Sequence, residues 1–220
     1  MKVIAFMTQK GGTGKTTLAA SVGVAAQEAG ERVYLIDLDP QGSLASWGER
    51  READAPPVDR TTPDKLTGAL VGLERAGYTL AIIDTQGVDS AATSAAMRAA
   101  DLALIPARAS ALDLEAAKPT MAALARLNRV YAFVLNQCPA GRTARMQDAG
   151  RALSLLGVLA QPFIAQRADH MDAIALGLGV SEYDPHGKAA DEVRQLWTWI
   201  KRKMEGKTHG QQPQKTSAVA

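Results

Sequence analysis

Short apolar runs alternate along the chain with longer segments in which apolar residues recur at helical spacing. Runs of about four to eight apolar residues indicate buried strands, and apolar positions three or four apart indicate helices. The predicted strands are residues 3–7, 33–36, 78–87, 101–106 and 129–135. The predicted helices are residues 18–26, 63–76, 114–127, 143–156 and 185–204. This alternation predicts an α/β fold.

Other stretches carry weaker patterns. Residues 47–64 turn polar and are expected to form a helix that runs out into a surface loop, with their mixed charges on a solvated face. A short strand is predicted near Phe163 and a turn at residues 169–171. Residues 205–220 are polar and rich in Gly, Gln, Thr and Ser, which predicts a disordered tail. A single domain is therefore predicted over residues 1–204.

Composition limits the possible classes of protein. At 220 residues, with 46% hydrophobic and 22% charged residues, the chain is long enough for one well-buried domain. No apolar run approaches the roughly 18 residues of a spanning helix, and no signal peptide is visible, so a soluble cytoplasmic protein is expected. A lone cysteine, Cys138, excludes an internal disulfide and a CxxC metal site. The net charge of +2 does not by itself indicate nucleic acid.

A glycine-rich loop joins the first predicted strand to the first predicted helix. In this order small residues let successive N–H groups point at an anion, and the helix adds the positive end of its dipole. The pattern G-x-x-x-x-G-K-[ST] is not met, because Gln9 stands where its first glycine belongs. We nevertheless expect Lys15 to reach the β- and γ-phosphates and the Thr16 hydroxyl to bind Mg²⁺. The alternative is an ordinary Gly-rich turn that binds no ligand.

The loop resembles the deviant Walker A box of the ParA/MinD ATPases, written KGGxGKTT. The resemblance implies a P-loop fold with a doubly wound, mostly parallel sheet flanked by helices. It also implies a homodimer that forms with ATP and Mg²⁺ and comes apart after hydrolysis, which stays slow until a partner completes the site. In that family the first lysine reaches the phosphates bound by the other subunit, a role that falls here to Lys10. The residues expected to bind ATP are Lys10, Gly11, Gly12, Thr13, Gly14, Lys15, Thr16 and Thr17.

Acidic residues follow two of the predicted strands. Asp37 and Asp39 are two apart, so they share a face of an extended segment at the end where parallel sheets bind ligands. The segment resembles the family's DxDPQG box, in which the second aspartate, here Asp39, positions the attacking water; a loop-capping pair is the alternative. Asp84 resembles the Walker B aspartate and is expected to join Thr16 in holding Mg²⁺. Gln86 departs from the proline common in that motif, which leaves the conformation of its loop open.

Two later loops carry further candidates. Residues 106–114 resemble the P-x-x-x-S-x-x-D-[LFW] loop of small ParA proteins, which lies at the dimer interface of that family. Asp113 is a candidate both for a partner contact and for the N-cap of helix 114–127. Asn136 is the candidate for adenine recognition, because an amide can pair with both N6 and N7 of the base, and loop capping is its alternative. Cys138 is expected to be a small buried filler.

Members of this superfamily use the nucleotide cycle in different ways. Iron–sulfur carriers hold their cluster with cysteines at the subunit interface, which Cys138 alone does not supply. Dethiobiotin synthetase-like enzymes share the loop but have no need of Lys10. MinD-type ATPases end in an amphipathic membrane helix, and the last predicted helix has an apolar stripe beside basic residues, although core packing is the expected role of that stripe. The stripe consists of Val193, Leu196, Trp197, Ile200 and Met204.

The favoured interpretation is a nucleoid-associated, small ParA-type ATPase that partitions or positions a DNA or protein cargo. Its expected partners are duplex DNA, bound without sequence preference, and a ParB-like or other cargo adaptor. Membrane binding of the MinD type is the alternative. For each basic residue late in the chain, a solvated surface charge is the alternative to a DNA contact. The candidates for DNA contact are Arg142, Arg145, Arg151, Arg167, Lys201, Arg202, Lys203 and Lys207.

Overall fold

The computed structural model describes residues 1–139, 141 and 143–206, so most of the predicted tail lies outside the described residues. The strands are β1 Lys2–Phe6, β2 Val33–Asp37, β3 Val58–Arg60, β4 Leu80–Asp84, β5 Leu102–Ala107 and β6 Tyr131–Leu135. Within the described residues they form one parallel sheet in the order β3-β2-β4-β1-β5-β6. Because β2 to β4 lie on one side of β1, with β4 between β1 and β2, and the chain then continues to β5 and β6 on the other side, the predicted doubly wound α/β fold is confirmed.

Helices cover both faces of the sheet. On one face, α1, α2 and the last three helices bury side chains such as Ile4 and Ile82; on the other, α3 to α6 bury side chains such as Ala5 and Ile83. Strands buried on both faces read as continuous apolar runs, which is why most of them are visible in the sequence. The helices are α1 Lys15–Glu28, α2 Ser43–Glu49, α3 Leu66–Arg75, α4 Ala91–Ala99, α5 Ala111–Arg126, α6 Ala144–Leu156, α7 Ala168–Ala175, α8 Val180–Tyr183 and α9 Lys188–Met204.

Some sequence predictions are wrong in detail. The polar segment 47–64 contains the edge strand β3, which lacks an apolar run because Asp59 and Arg60 are exposed. No strand forms at Phe163, where the chain makes only single parallel bridges on either side, at Leu159 and Ala165. The predicted turn at residues 169–171 lies inside α7. Helices α4 and α8 are short, which makes their periodicity weak, and neither was predicted.

The mixed charges of residues 47–64 are not all on a solvated face. The Arg51 side chain is 3% exposed and pairs with both carboxylate oxygens of Glu182, at 2.8 and 2.9 Å. Its guanidinium also lies 4.7 Å from the centre of the buried Trp47 ring. The indole N–H of Trp47 donates to the carbonyl oxygen of Leu178 at 3.1 Å. These contacts hold α2 against the α7–α8 segment. The loop between β2 and α2 is residues 38–42, called the acidic loop below, and it contains Asp39.

The apolar stripe of α9 packs in the protein core, as expected. Val193, Leu196 and Ile200 are fully buried, and Trp197 is nearly so. Together they pack against the same face of the sheet as α1. None of the described helices is long and apolar enough to cross a membrane. The feature that suggested a MinD-type membrane helix is therefore explained by packing within the domain.

Candidate nucleotide-binding site

The register of the sheet brings the predicted site residues to one edge. Phe6 of β1 lies beside Asp84 of β4, and Asp84 lies beside Asp37 of β2. The glycine-rich loop follows β1 directly, so it leaves the sheet next to both carboxylates. This is the carboxyl edge of the strands, where parallel α/β sheets bind ligands.

The conformation of the loop requires glycine at two positions. Gly12 and Gly14 have φ values of 70° and 86°, in the left-handed region that favours glycine. A Cβ at Gly14 would also fall 2.5 Å from Asn136 Nδ2. Gly14 is the N-cap of α1 and supplies no side-chain hydrogen bond to the helix. The first N–H groups of this 14-residue helix are thus available to an anion.

Lys15 and Thr16 face the carboxylates across the loop. The Lys15 side chain is buried, and its ammonium lies 3.4 Å from the carbonyl oxygen of Lys10. Burial lowers the pKa of Lys15, although the negative charges of Asp84 and Asp39 act in the opposite direction. The Thr16 hydroxyl donates to Asp84 Oδ2 at 2.5 Å. Lys15 therefore places a poorly solvated cation beside the helix N-terminus, where phosphates gain most from it.

The residues at Asp84 fit a magnesium ion. Its second oxygen, Oδ1, is buried without a hydrogen-bond partner. Burial raises the pKa of Asp84 to about 7, and the charge of Asp37 adds to the shift, although the Thr16 hydroxyl opposes it. In the described part of the chain no three His, Cys, Asp or Glu side chains form a complete metal cage. Mg²⁺ commonly takes one or two protein oxygens and completes its shell with phosphates and water, which is what Thr16 and Asp84 allow.

Asp37 and Asp39 have different positions. The Asp37 carboxylate accepts hydrogen bonds from the N–H groups of Asp39 and Ala45, both at 2.9 Å, so it holds the acidic loop and the start of α2. Asp39 is partly exposed and lines a cavity of about 520 Å³ with Lys15 and Thr16. The capping alternative thus describes Asp37 and in part Asp39, whose Oδ1 accepts a hydrogen bond from the N–H of Gln41 at 2.9 Å; the role of Asp39 in hydrolysis stays a prediction.

Lys10 points to α5. Its ammonium lies 2.7 Å from Asp113 Oδ2, and Arg108 Nε lies 3.0 Å from Asp113 Oδ1. Burial alone would raise the pKa of Asp113, but hydrogen bonds from Lys10, Ser110 and Arg108 outweigh it and lower the pKa to about 2. The prediction that Asp113 is an N-cap is wrong, because Ser110 caps α5 and Asp113 lies in the first turn of that helix. The position of Ser110, which the motif also contains, was the signal that could have indicated this.

Residues 4–180 match the protein family described as the CobQ/CobB/MinD/ParA nucleotide binding domain. The chain belongs to this family. It is 34% identical over 196 residues to a maintenance of carboxysome distribution protein A from Gloeobacter kilaueensis, covering 87% of this chain and 88% of the relative. It is 31% identical over 207 residues to a protein of the same name from Halothiobacillus neapolitanus, covering 88% and 93%. The resemblance to ParA/MinD ATPases is thereby confirmed.

Solved structures of ParA/MinD proteins share the fold. The septum site-determining protein MinD of Pyrococcus horikoshii, complexed with Mg-ADP, superposes with a TM-score of 0.73 at 19% identity, covering 94% of this chain and 98% of its own. A single-substitution variant of Cyanothece McdA in complex with ATP superposes with a TM-score of 0.72 at 18% identity, covering 96% of this chain and 99% of its own. ParA/MinD proteins are ATPases, and these neighbours carry nucleotide.

Asn136 stabilises the glycine-rich loop of this ParA/MinD ATPase, called the Walker loop below, through a hydrogen bond to its backbone. Its Nδ2 donates to the carbonyl oxygen of Thr13 at 2.8 Å, and the neighbouring Gln137 Nε2 donates to that of Gly12 at 3.1 Å. The structure thus places Asn136 in the loop-holding role that was the alternative to adenine recognition, and pairing with the base stays a prediction. Cys138 is buried as expected, and burial raises the pKa of its thiol to about 11.

A second cavity, of about 280 Å³, opens beside the Walker loop. Sequence reasoning missed its far wall, because residues 165–171 carry no motif and the only prediction within them is a turn at residues 169–171. The cavity is large enough for part of a nucleotide and adjoins Gly14 and Thr17 of the loop. It is lined by Gly14, Thr17, Leu18, Asn136, Gln137, Ala165, Gln166, Arg167, Ala168, His170 and Met171.

In the described part of the chain, the late basic residues do not form one patch. Arg167 pairs with Glu192 at 2.6 Å, Lys201 with Glu31 at 2.8 Å and Arg151 with Asp148 at 3.5 Å. Helices α6 and α9 cover opposite faces of the sheet. Arg151 on α6 is therefore far from the basic candidates at the end of α9. Among the described residues, Arg202 and Lys203 make no ion pair, which leaves them as the α9 candidates. Arg142, Lys207 and the side chain of Arg145 lie outside the described residues.

Proposed function

We propose that this protein is an ATPase that dimerises with ATP and uses the cycle to position or partition a cargo. The observation that carries the proposal is the placement of Lys10. Its ammonium binds the buried Asp113 instead of entering the cavity that Lys15, Thr16 and Asp39 line. In a single subunit, therefore, Lys10 supplies no positive charge to the bound phosphates. The family resemblance implies that Lys10 of a second subunit supplies it.

The roles of the other site residues follow from their positions. We infer that Lys15 neutralises the β- and γ-phosphates, and that Thr16 and Asp84 would hold Mg²⁺, which would supply further positive charge to them. Asp39 orients the attacking water from the far side of the cavity. Phosphoryl transfer needs mostly positioning and charge neutralisation, so hydrolysis is expected to be slow until a partner protein completes the site. Residues 1–204 act as one ATPase domain in this proposal.

The names of the relatives support a role in positioning. Besides the two carboxysome distribution proteins, the chain is 34% identical over 150 residues to the chromosome-partitioning ATPase Soj of Thermus thermophilus, covering 55% of this chain and 60% of Soj. We propose that the cargo is a protein body or a DNA molecule, carried through an adaptor protein. Duplex DNA of the nucleoid in the cytoplasm is the proposed track.

Replacing Lys10 tests the dimer. Lys10→Ala is expected to leave the affinity of the monomer for ATP within about twofold, because Lys15 and the helix N-terminus are unchanged, and to prevent the ATP-dependent dimer. Size-exclusion chromatography with light scattering, with Mg-ATP, measures the outcome. Lys118→Ala is the matched control, since Lys118 lies exposed on α5 and pairs with the exposed Glu115 on the same helix. An unchanged dimer would make Lys10 an ordinary loop cation and remove the basis of the proposal.

DNA binding is tested through the unpaired basic residues of α9. With ATP the dimer is expected to bind duplexes of any sequence, and each neutralised phosphate contributes about −0.9 to the slope of log K against log salt. Joint Arg202→Glu and Lys203→Glu changes are expected to weaken binding to all sequences alike while ATP binding is retained. Filter binding from low to high salt measures this, and Lys188→Glu at the exposed start of α9 is the control. A dimer that ignores DNA at low salt but sediments with anionic liposomes would favour the membrane alternative.

A further inference from the structure

Arg60 lies on the outer side of the loop that carries Asp39. Its Nη2 donates to the carbonyl oxygen of Pro40 at 2.9 Å. The guanidinium also lies against Gly42, because a Cβ built on that residue would be 3.1 Å from Arg60 Cζ and 3.3 Å from Nε and Nη1. One side chain therefore contacts the loop on both sides of Gln41.

Strand pairing determines where Arg60 reaches. β3 pairs with β2 so that Arg60 lies opposite Asp37, and the N–H of Thr61 donates to the carbonyl oxygen of Asp37 at 3.1 Å. Asp37 is the residue whose carboxylate holds the same loop from inside, through the N–H groups of Asp39 and Ala45. Asp37 thus holds the side of the loop that faces the sheet, and Arg60 holds the side that faces solvent.

The backbone of Asp39 is held by Asp37 and Gly42, but its side chain has few restraints. Within the described residues its carboxylate accepts one hydrogen bond, from the N–H of Gln41 at 2.9 Å, and that bond is exposed to solvent. Gly42 follows with a φ of 68°, a conformation that no bulkier residue adopts easily. The direction of the Asp39 carboxylate therefore depends on contacts made by the backbone of residues 40–42, which is where Arg60 binds.

We propose that Arg60 is a positioning residue for ATP hydrolysis, acting through Asp39. It holds the Pro40 carbonyl and covers Gly42, which keeps the Asp39 carboxylate directed into the cavity beside Lys15. Arg60 does not line that cavity, so it acts on the loop and not on the nucleotide. The inference deepens the proposed function and rests on Asp39 as the residue that orients the attacking water.

A purely structural role for Arg60 leads to different results. If Arg60 only stabilised the edge of the sheet, its loss would lower the thermal midpoint and weaken nucleotide binding together with hydrolysis. The β2–β3 pairing and the contacts of Asp37 do not involve the Arg60 side chain, however. Removing that side chain should therefore leave the fold and the Walker loop in place and affect mainly the chemical step.

Single-turnover hydrolysis and equilibrium binding separate the two roles. Arg60→Ala is expected to slow hydrolysis about tenfold, because displacing a positioned group by a fraction of an ångström has effects of this size. Affinity for a fluorescent ATP analogue should stay within about twofold and the thermal midpoint near that of the unchanged protein. Arg60→Lys should recover part of the rate, since an ammonium can still donate to the Pro40 carbonyl. Arg75→Ala, exposed at the C-terminal end of α3, is the control.

Parallel measurements on Asp39→Ala distinguish failure of this inference from failure of the proposed function. If Asp39→Ala hydrolyses ATP normally, the proposed role of Asp39 is wrong and Arg60 has nothing to position. If Asp39→Ala is inactive while Arg60→Ala hydrolyses normally, only the role of Arg60 is wrong. The double variant should be no slower than Asp39→Ala alone, because both changes remove one function. Additive losses, or equal losses in rate, affinity and thermal midpoint, would contradict the inference.

Discussion

Lys15→Ala is expected to abolish detectable ATP binding. Lys15 is the buried cation of the cavity, beside the N-terminus of α1, and its ammonium is poorly solvated. Breaking a buried ion pair by removing one partner costs about 3–5 kcal/mol, which corresponds to a loss in affinity of about a hundredfold to several thousandfold. The triphosphate in one subunit would then depend on backbone N–H groups, which carry no full charge, and on Mg²⁺, without the ammonium of Lys15.

Calorimetry and thermal unfolding together give a sharp test of this expectation. Without nucleotide, Lys15→Ala should unfold at a temperature no lower than the unchanged protein, because the replaced ammonium is desolvated in the empty loop. With Mg-ATP, the unchanged protein should gain stability and the variant should not. Lys65→Ala, exposed at the start of α3, serves as the control. Retention of ATP affinity within a few-fold would remove Lys15 from its assigned role.

Asp39→Ala is expected to bind ATP and to hydrolyse it about a hundredfold to a thousandfold more slowly, as is typical when a positioned acid–base group is lost. The Walker loop, Thr16 and Asp84 are unaffected by the change, so ATP and Mg²⁺ should still bind. Because the dimer is expected to dissociate only after hydrolysis, the variant should accumulate as an ATP-bound dimer. Phosphate release and size-exclusion chromatography measure the two effects.

Asp37→Ala provides the informative comparison. It removes the same chemical group two residues earlier, but Asp37 holds the loop and the start of α2 through two backbone N–H groups. Its loss should therefore lower the thermal midpoint, which Asp39→Ala should leave nearly unchanged. Normal hydrolysis by Asp39→Ala, with only monomer present in ATP, would refute its assignment.

The sequence by itself determined the fold class and the nucleotide loop. β1, β2, β4, β5 and β6 are buried on both faces, so each appears as an unbroken apolar run between turn residues. The loop is equally local, because its function depends on backbone N–H groups and glycine conformations within a few consecutive residues. Such features can be identified from neighbouring residues alone.

Only the tertiary structure decided which of these residues contact one another. Lys10 binds Asp113, 103 residues away, and Arg60 reaches the Asp39 loop because a three-residue edge strand pairs in one register. Two of its three residues are exposed, so its sequence carries no apolar signal. The separate roles of Asp37 and Asp39 also depend on which face of the loop each carboxylate occupies. Contacts between distant segments follow from strand register and side-chain packing, and neither is encoded in the spacing of residues along the chain.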